Sequence, residues 1–392
     1  MHGARLRILH VIAAVAPRYG GPSKLVLEMC AALNSAGHHA EVVTSNADGE
    51  AILNQPLHRF VEYKQVRCLF FARLFGEGLK YASGMHTWLQ HHVSDYDLVH
   101  IHGVFSWSSL VASNACQNRS VPYILRPLGS LDPWSMTRKS LRKKVLMRLC
   151  VRKMLYGACR IHYTSLGEQH AAEQLLDSGR GVVVPNAVDV SQFAADMPHH
   201  QILHGLPDLS GSRYILFLGR LVAKKKLELL ITSFSQMQVS YDIKLIIAGS
   251  GDPDYRNKLE KLASEGPVAG QIIFLDWIEG ADKTALLRDC SLFVLVSENE
   301  NYGISVAEAM ASGRAVVVNK GVYLCDQIQQ AQAGWVIQND SELADTLSVA
   351  MQDDAERGRR GECGRRLVIN QFSWKVIVTQ LEELYLACAQ AE

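Results

Sequence analysis

No stretch of this 392-residue chain offers the run of about 18 apolar residues that a membrane-spanning helix needs. Charge of one sign is missing too. Forty Lys and Arg face 39 Asp and Glu, and a net charge of +1 gives no general pull toward nucleic acid. The nine cysteines include no Cys-x-x-Cys pair and no Cys/His cluster at zinc spacing, which argues against a disulfide framework or structural zinc and favours a reducing compartment. There is no internal repeat and no low-complexity tract. What is present is ordinary for a globular protein, 48% hydrophobic and 20% charged, long enough for two to three domains.

The start of the chain could pass for a short signal peptide, because Arg5 and Arg7 precede Ile8-Leu-His-Val-Ile-Ala-Ala-Val-Ala16. His10 inside that run, and Arg18-Tyr-Gly-Gly-Pro22 directly after it, fit a buried first strand and a glycine turn better. Apolar runs then alternate with amphipathic stretches, the pattern of βαβ units. One series comprises Leu6–Ala14, Ala40–Thr44, Asp97–His102, Tyr123–Leu125, Arg160–Thr164 and Val182–Val184, with a helix over Pro22–Ala36. Residues 194–212 break the pattern with His, Pro, Gly and Ser, which reads as a linker. A second series follows at Tyr214–Leu218, Lys244–Ala248, Ile272–Leu275, Leu292–Val296, Ala315–Asn319 and Gly334–Ile337. The expectation is an α/β protein of two Rossmann-like domains with parallel sheets, 1–200 and 201–373. A last helix, Val376–Cys388, would be capped by Ser373. Neither first turn carries Gly-x-Gly-x-x-Gly, so no dinucleotide cofactor is expected.

The most informative segment is Ser297-Glu-Asn-Glu-Asn-Tyr-Gly-Ile-Ser-Val-Ala-Glu-Ala-Met-Ala-Ser-Gly313. It places Glu300 and Glu308 eight positions apart, after a buried strand and across a glycine that opens a helix. The order strand, polar turn, helix puts a helix N-terminus at the carboxyl edge of a parallel sheet, where anionic ligands bind. Gly219-Arg-Leu-Val-Ala-Lys-Lys-Lys226 also leaves a buried strand, and its cations suit a diphosphate. Asp252 and Asp254, in Ala248-Gly-Ser-Gly-Asp-Pro-Asp-Tyr255, imitate a metal-binding Asp-x-Asp. Their place between a glycine turn and a helix makes N-capping the better reading.

These motifs resemble the retaining family 4 glycosyltransferases, whose fold is GT-B, two Rossmann-like domains facing a cleft. The likeness rests on Glu-x7-Glu, on Gly219-Arg-Leu with Lys225, and on Ala248-Gly-Ser-Gly-Asp; it extends through Gly321-Val322 and Ala333-Gly-Trp-Val336. It implies that Arg220 and Lys225 contact a diphosphate, Glu300 the donor sugar and Glu308 the ribose. The amides near Tyr302, Gly303 and Ile304 would face sugar and phosphate. Gly249 belongs to the matching turn, and Trp277 either walls the base pocket or packs. Gly20 and Gly21 would lie near the donor phosphate and the acceptor, and the last helix would cross back to the first domain. Lys226 departs from the family, which has glycine there.

On the acceptor side the family histidine is replaced by Leu128, followed by Gly129. A subgroup tied to bacterial surface polysaccharides carries Pro-Arg-Gly, so Arg126 is the expected substitute, with Asp132-Pro-Trp134 in keeping. His102 at a strand end is a second candidate for the cleft, while His100 reads as core. Arg138–Lys153 holds eight cations and no acid with apolar residues at helical spacing, either a membrane-surface helix or a solvated face. The implied activity is metal-independent transfer of a hexose from a UDP-glucose-type or GDP-mannose-type donor to a saccharide or lipid-linked saccharide acceptor in polysaccharide biosynthesis. It would take place in the cytoplasm, with possible peripheral contact at the inner membrane face. A silent binding subunit and a nucleotide-sugar epimerase are the competing readings.

Overall fold

The computed structural model describes residues 5–75, 77–137, 145–175, 178–193, 213–239 and 242–390. The expected linker and residues 138–144 of the basic stretch therefore lie outside the described residues. The chain divides into two units, Met1–Ala187 with Trp374–Glu392, and Val188–Ser373.

The first unit is built on an eight-stranded sheet. In spatial order its strands are Gly181–Val183, Arg160–Tyr163, Tyr123–Arg126, Leu98–His102, Arg7–Ala14, His39–Ser45, Val66–Phe71 and Phe60–Tyr63. All neighbours are parallel except the last pair. Side chains alternate across the sheet, so each strand feeds two cores. Leu9, Val11, Val99, Ile101 and Leu125 pack on one side with the helices Met85–His92 and Trp107–Arg119. Ile8, Ile12, Val42, Leu98 and Ile124 pack on the other with Gly21–Ser35 and the final helix Trp374–Ala389. The final helix thus completes the core of the unit in which the chain began. Ser373 precedes it, and its hydroxyl donates backward to the Ile369 carbonyl at 2.8 Å.

The edge hairpin Phe60–Tyr63/Val66–Phe71 has no counterpart among the expected elements. Its tight turn falls on Lys64 and Gln65, both left-handed at φ 50° and 65°. That geometry ordinarily demands Asn or Gly, so the turn carries no sequence signature.

The second unit has six parallel strands in the order Ile272–Leu275, Ile243–Ala248, Arg213–Leu218, Leu292–Leu295, Val316–Asn319 and Gly334–Ile337. Relative to the chain this is 3-2-1-4-5-6, the doubly wound order. The strands are near-continuous apolar runs because both faces are covered.

Candidate functional site

In a 3-2-1-4-5-6 sheet the connections depart in opposite directions after strands 1 and 4, leaving a crevice at their carboxyl ends. Those strands here are Arg213–Leu218 and Leu292–Leu295, paired through Ile215–Leu292 and Leu216–Phe293. The loops that follow them are Gly219–Lys226 and Val296–Gly303. The second loop is sewn to the first at the Lys224 carbonyl, which accepts from the Glu298 amide at 2.8 Å and the Ser297 hydroxyl at 2.9 Å. Lys225 and Glu300 then form an ion pair, with side chains only 10% and 20% exposed. Burial pushes the Glu300 carboxyl up, but the charges of Lys225 and Lys224 outweigh it and hold it below the ordinary range. Glu300 is therefore ionised at neutral pH.

Its backbone is equally fixed, donating to the Gly321 carbonyl at 2.7 Å and accepting from the Tyr323 amide at 3.1 Å. A Cβ on Gly321 would stand 1.8 Å from the Ser297 carbonyl oxygen, so only glycine lets these loops meet. Gly249 serves the same purpose nearby, since its Cβ would lie 1.8 Å from the Gly219 oxygen.

The helix Ile304–Ala311 starts from Gly303, left-handed at φ 74°, ψ 60°. The Tyr302 ring turns inward and meets Phe372 edge-on at 5.9 Å, so this residue offers the crevice only its backbone. Ile304 is half-buried at the first helical position. Glu308 lies a full turn further on, and its Oε1 accepts from Lys283 Nζ at 2.6 Å. Arg220 is exposed at the strand end. Trp277 is 37% exposed, and its indole N–H donates to Glu279 at 2.7 Å.

Asp252 caps the helix Pro253–Glu265, accepting from the amides of Asp254 at 2.9 Å and Tyr255 at 3.4 Å. Lys226 adopts the left-handed conformation that the family's glycine would take, φ 48° and ψ 42°, and its ammonium pairs with Asp340 at 2.7 Å. Sequence reasoning missed Lys283, which looks like any polar residue of a half-exposed helix.

In the first unit, Gly20 at φ 76° ends a short 3-10 turn, and Gly21 begins the helix Gly21–Ser35. No heavy atom lies within 4 Å of where a Gly20 Cβ would stand, so its positive φ, not crowding, calls for glycine. His102 and Arg126 lie in a buried polar seam instead of at the surface, 2% and 1% exposed. Register brings Arg126 beside His102, and His10 beside His100. His10 Nδ1 and His102 Nε2 are 3.0 Å apart, His100 Nδ1 meets the Tyr385 hydroxyl at 2.8 Å, and His162 Nε2 reaches the Val184 carbonyl at 2.8 Å. The Arg126 guanidinium donates to Asn186. Burial holds all four imidazoles neutral, aided by the Arg126 charge, and brings His10 down to about 3. Ring nitrogens of His10, His100 and His102 come within 4.8 Å of one another, but the same guanidinium opposes a cation there.

Leu128, at the position of the family histidine, is left-handed at φ 58° and is followed by Gly129 at φ 70°. Buried Glu168 secures this turn, accepting from the Gly129 amide at 2.6 Å and from the Thr164 amide and hydroxyl at 2.7 and 2.8 Å. An open cavity of about 600 Å³ is lined by Arg18, Gly49, Glu50, Arg73, Leu74, Phe75 and Glu77. Of the basic stretch, Arg148, Arg152 and Lys153 are exposed beside exposed Val145, Leu149 and Tyr156. Among the described residues no helix is long and apolar enough to cross a membrane.

Residues 206–367 match the glycosyl transferases group 1 family, and residues 20–187 match the glycosyl transferase 4-like domain. The chain belongs to the family 4 glycosyltransferases. Phosphatidyl-myo-inositol mannosyltransferase of Mycolicibacterium smegmatis is 26% identical to it, over 93% of this chain and 90% of that one. The Mycobacterium tuberculosis enzyme of the same name is also 26% identical, over 76% and 75%. Among solved structures, sucrose-phosphate synthase from Thermosynechococcus elongatus superposes with a TM-score of 0.81 at 20% identity, covering 97% of this chain and 98% of that one. Anabaena HepE, solved with UDP and glucose, gives 0.77 at 19%, covering 98% of this glycosyltransferase and all of HepE. The fold is GT-B.

Proposed function

We propose that this glycosyltransferase moves a hexose, with retention at the anomeric carbon, from a UDP- or GDP-sugar to a saccharide or lipid-linked acceptor. The observation that carries the reading is the buried Lys225–Glu300 pair across the switch point of the second sheet. A cation and a carboxylate there meet the two halves of a sugar nucleotide, phosphate and hydroxyls. Arg220, exposed at the adjacent strand end, joins Lys225 on the diphosphate. The amides of Gly303 and Ile304 add the helix N-terminus. Glu308 accepts from the ribose hydroxyls, Gly249 lets the backbone come close, and Trp277 edges the base. These groups supply the charge a metal would otherwise bring, so turnover is metal-independent.

In the reaction the bond from the anomeric carbon to the phosphate oxygen breaks. The acceptor oxygen bonds on the same face, and its proton passes to the leaving phosphate. The first unit supplies the acceptor side through Gly20, Gly21 and the cavity lined by Arg18 and Phe75. Arg126 and His102 act by supporting the strand ends above them. The mannosyltransferase relatives support mannose and a lipid acceptor. Exposed Leu149, Val145 and Tyr156 among Arg148, Arg152 and Lys153 suit a peripheral place on an anionic membrane face.

The test is a panel of UDP- and GDP-sugars, scored by released nucleotide and by anomeric configuration of the product, with and without EDTA. Nucleotide release persisting in EDTA and an axial-to-axial product are expected. Loss of turnover on chelation, restored by manganese, or an inverted product, refutes the mechanism. Arg220→Ala should cost about 2–4 kcal/mol of transition-state stabilisation, as other lost electrostatic donors do.

A further inference from the structure

The ion pair between Lys283 and Glu308 has no place in the machinery so far. Lys283 belongs to the helix Gly280–Asp289 and Glu308 to Ile304–Ala311, and the pair closes at 2.6 Å with side chains only 17% and 7% exposed. A buried ion pair is a poor device for stability, because desolvating both charges consumes most of their attraction. It does fix the rotamer of a side chain that would otherwise choose among several.

That matters at Glu308. A carboxylate accepts from two vicinal hydroxyls together only when it is held at a defined angle. A pre-positioned acceptor also loses little entropy on binding. We propose that Lys283 is the positioning residue for ribose recognition, holding Glu308 so that this glycosyltransferase selects ribonucleotide over 2′-deoxyribonucleotide donors. The inference rests on the proposed contact between Glu308 and the ribose. Lys283 acts in this proposal through Glu308.

A merely structural lysine would, when removed, weaken binding of any nucleotide alike. A positioning lysine would act on the ratio. Calorimetry with UDP, GDP and their 2′-deoxy analogues supplies that readout. The full-length protein should prefer the better-bound ribonucleotide by about 10- to 100-fold, the range of one or two hydrogen bonds to a charged acceptor. Lys283→Met should reduce the preference at least about fivefold through weaker ribonucleotide binding, with deoxynucleotide affinity little changed. Lys283→Arg should keep most of it. If Lys283→Met does not fold, Lys283→Gln carries the same comparison without the charge. Glu308→Gln separates the two layers of the argument. Loss of the preference in Glu308→Gln but not in the uncharged Lys283 variants overturns the role of Lys283. Retention in Glu308→Gln overturns the ribose contact beneath it.

Discussion

Acid should unfold the first unit well before the second. Four imidazoles, His10, His100, His102 and His162, are at most 2% exposed, and burial beside Arg126 keeps each neutral far below its ordinary pKa. In the unfolded chain each titrates near 6.5. Below that pH the unfolded state binds protons the folded state refuses, so stability falls as pH drops. The full contribution is present above about 6.5, and for His10 the loss continues down to about 3. Between pH 7 and 5.5 each histidine costs about 1.2 kcal/mol, and the four together about 5 kcal/mol. That is a large part of the 5–15 kcal/mol that typically holds a domain folded.

The second unit provides an internal control. Its histidines, His199, His200 and His204, all fall in the segment outside the described residues. Hydrogen exchange read peptide by peptide at pH 7, 6.25 and 5.5, after correction for intrinsic rates, should show protection falling in Arg7–Ala14, Leu98–His102 and Arg160–Tyr163. Protection in Arg213–Leu218 and Leu292–Leu295 should hold. His162→Asn should remove about one proton from the pH dependence. Protection in the first unit that stays level to pH 5.5 would refute the claim that these imidazoles are folded in their neutral form.

Two further predictions concern the second unit's backbone. Lys226→Gly relieves a left-handed residue, worth roughly 1–2 kcal/mol, and gives up a partly exposed ion pair with Asp340 worth roughly 0–1 kcal/mol. Chemical denaturation should show stability unchanged or slightly raised, and a loss above about 2 kcal/mol would show that the ion pair dominates. Gly321→Ala drives a Cβ into the Ser297 carbonyl and should cost at least about 2 kcal/mol while displacing Glu300. Gly358→Ala, with nothing within 4 Å, should be neutral or stabilising by up to about 1 kcal/mol. Equal melting shifts in the two would contradict the steric argument.

The strands of the second unit were legible because parallel strands covered on both faces are written as unbroken apolar runs, such as Leu292-Phe-Val-Leu295. Asp252 was legible as a cap, since its side chain acts within its own turn. The seam of histidines was not. His10, His100 and His162 come from three strands, and only the register across the sheet shows that they share a face. A signal was nonetheless available, because each is a titratable residue inside an otherwise apolar strand. Glu168 escaped notice for a different reason. Thr164 lies only four residues before it, but its other partner, Gly129, lies 39 positions away at the end of a different element, and local sequence cannot announce that contact.

The chain leaves the first unit after Ala187 and returns at Trp374, and the two crossing points are stitched together. Val188 pairs in parallel with Ser373, and its amide donates to the Phe372 carbonyl at 2.7 Å. The 186 residues from Val188 to Ser373 thus form a cassette whose ends lie side by side. Such a cassette is suited to exchange. A relative's segment spliced at these two points would enter and leave the chain side by side, so the cassette could be exchanged between glycosyltransferases through two adjacent junctions.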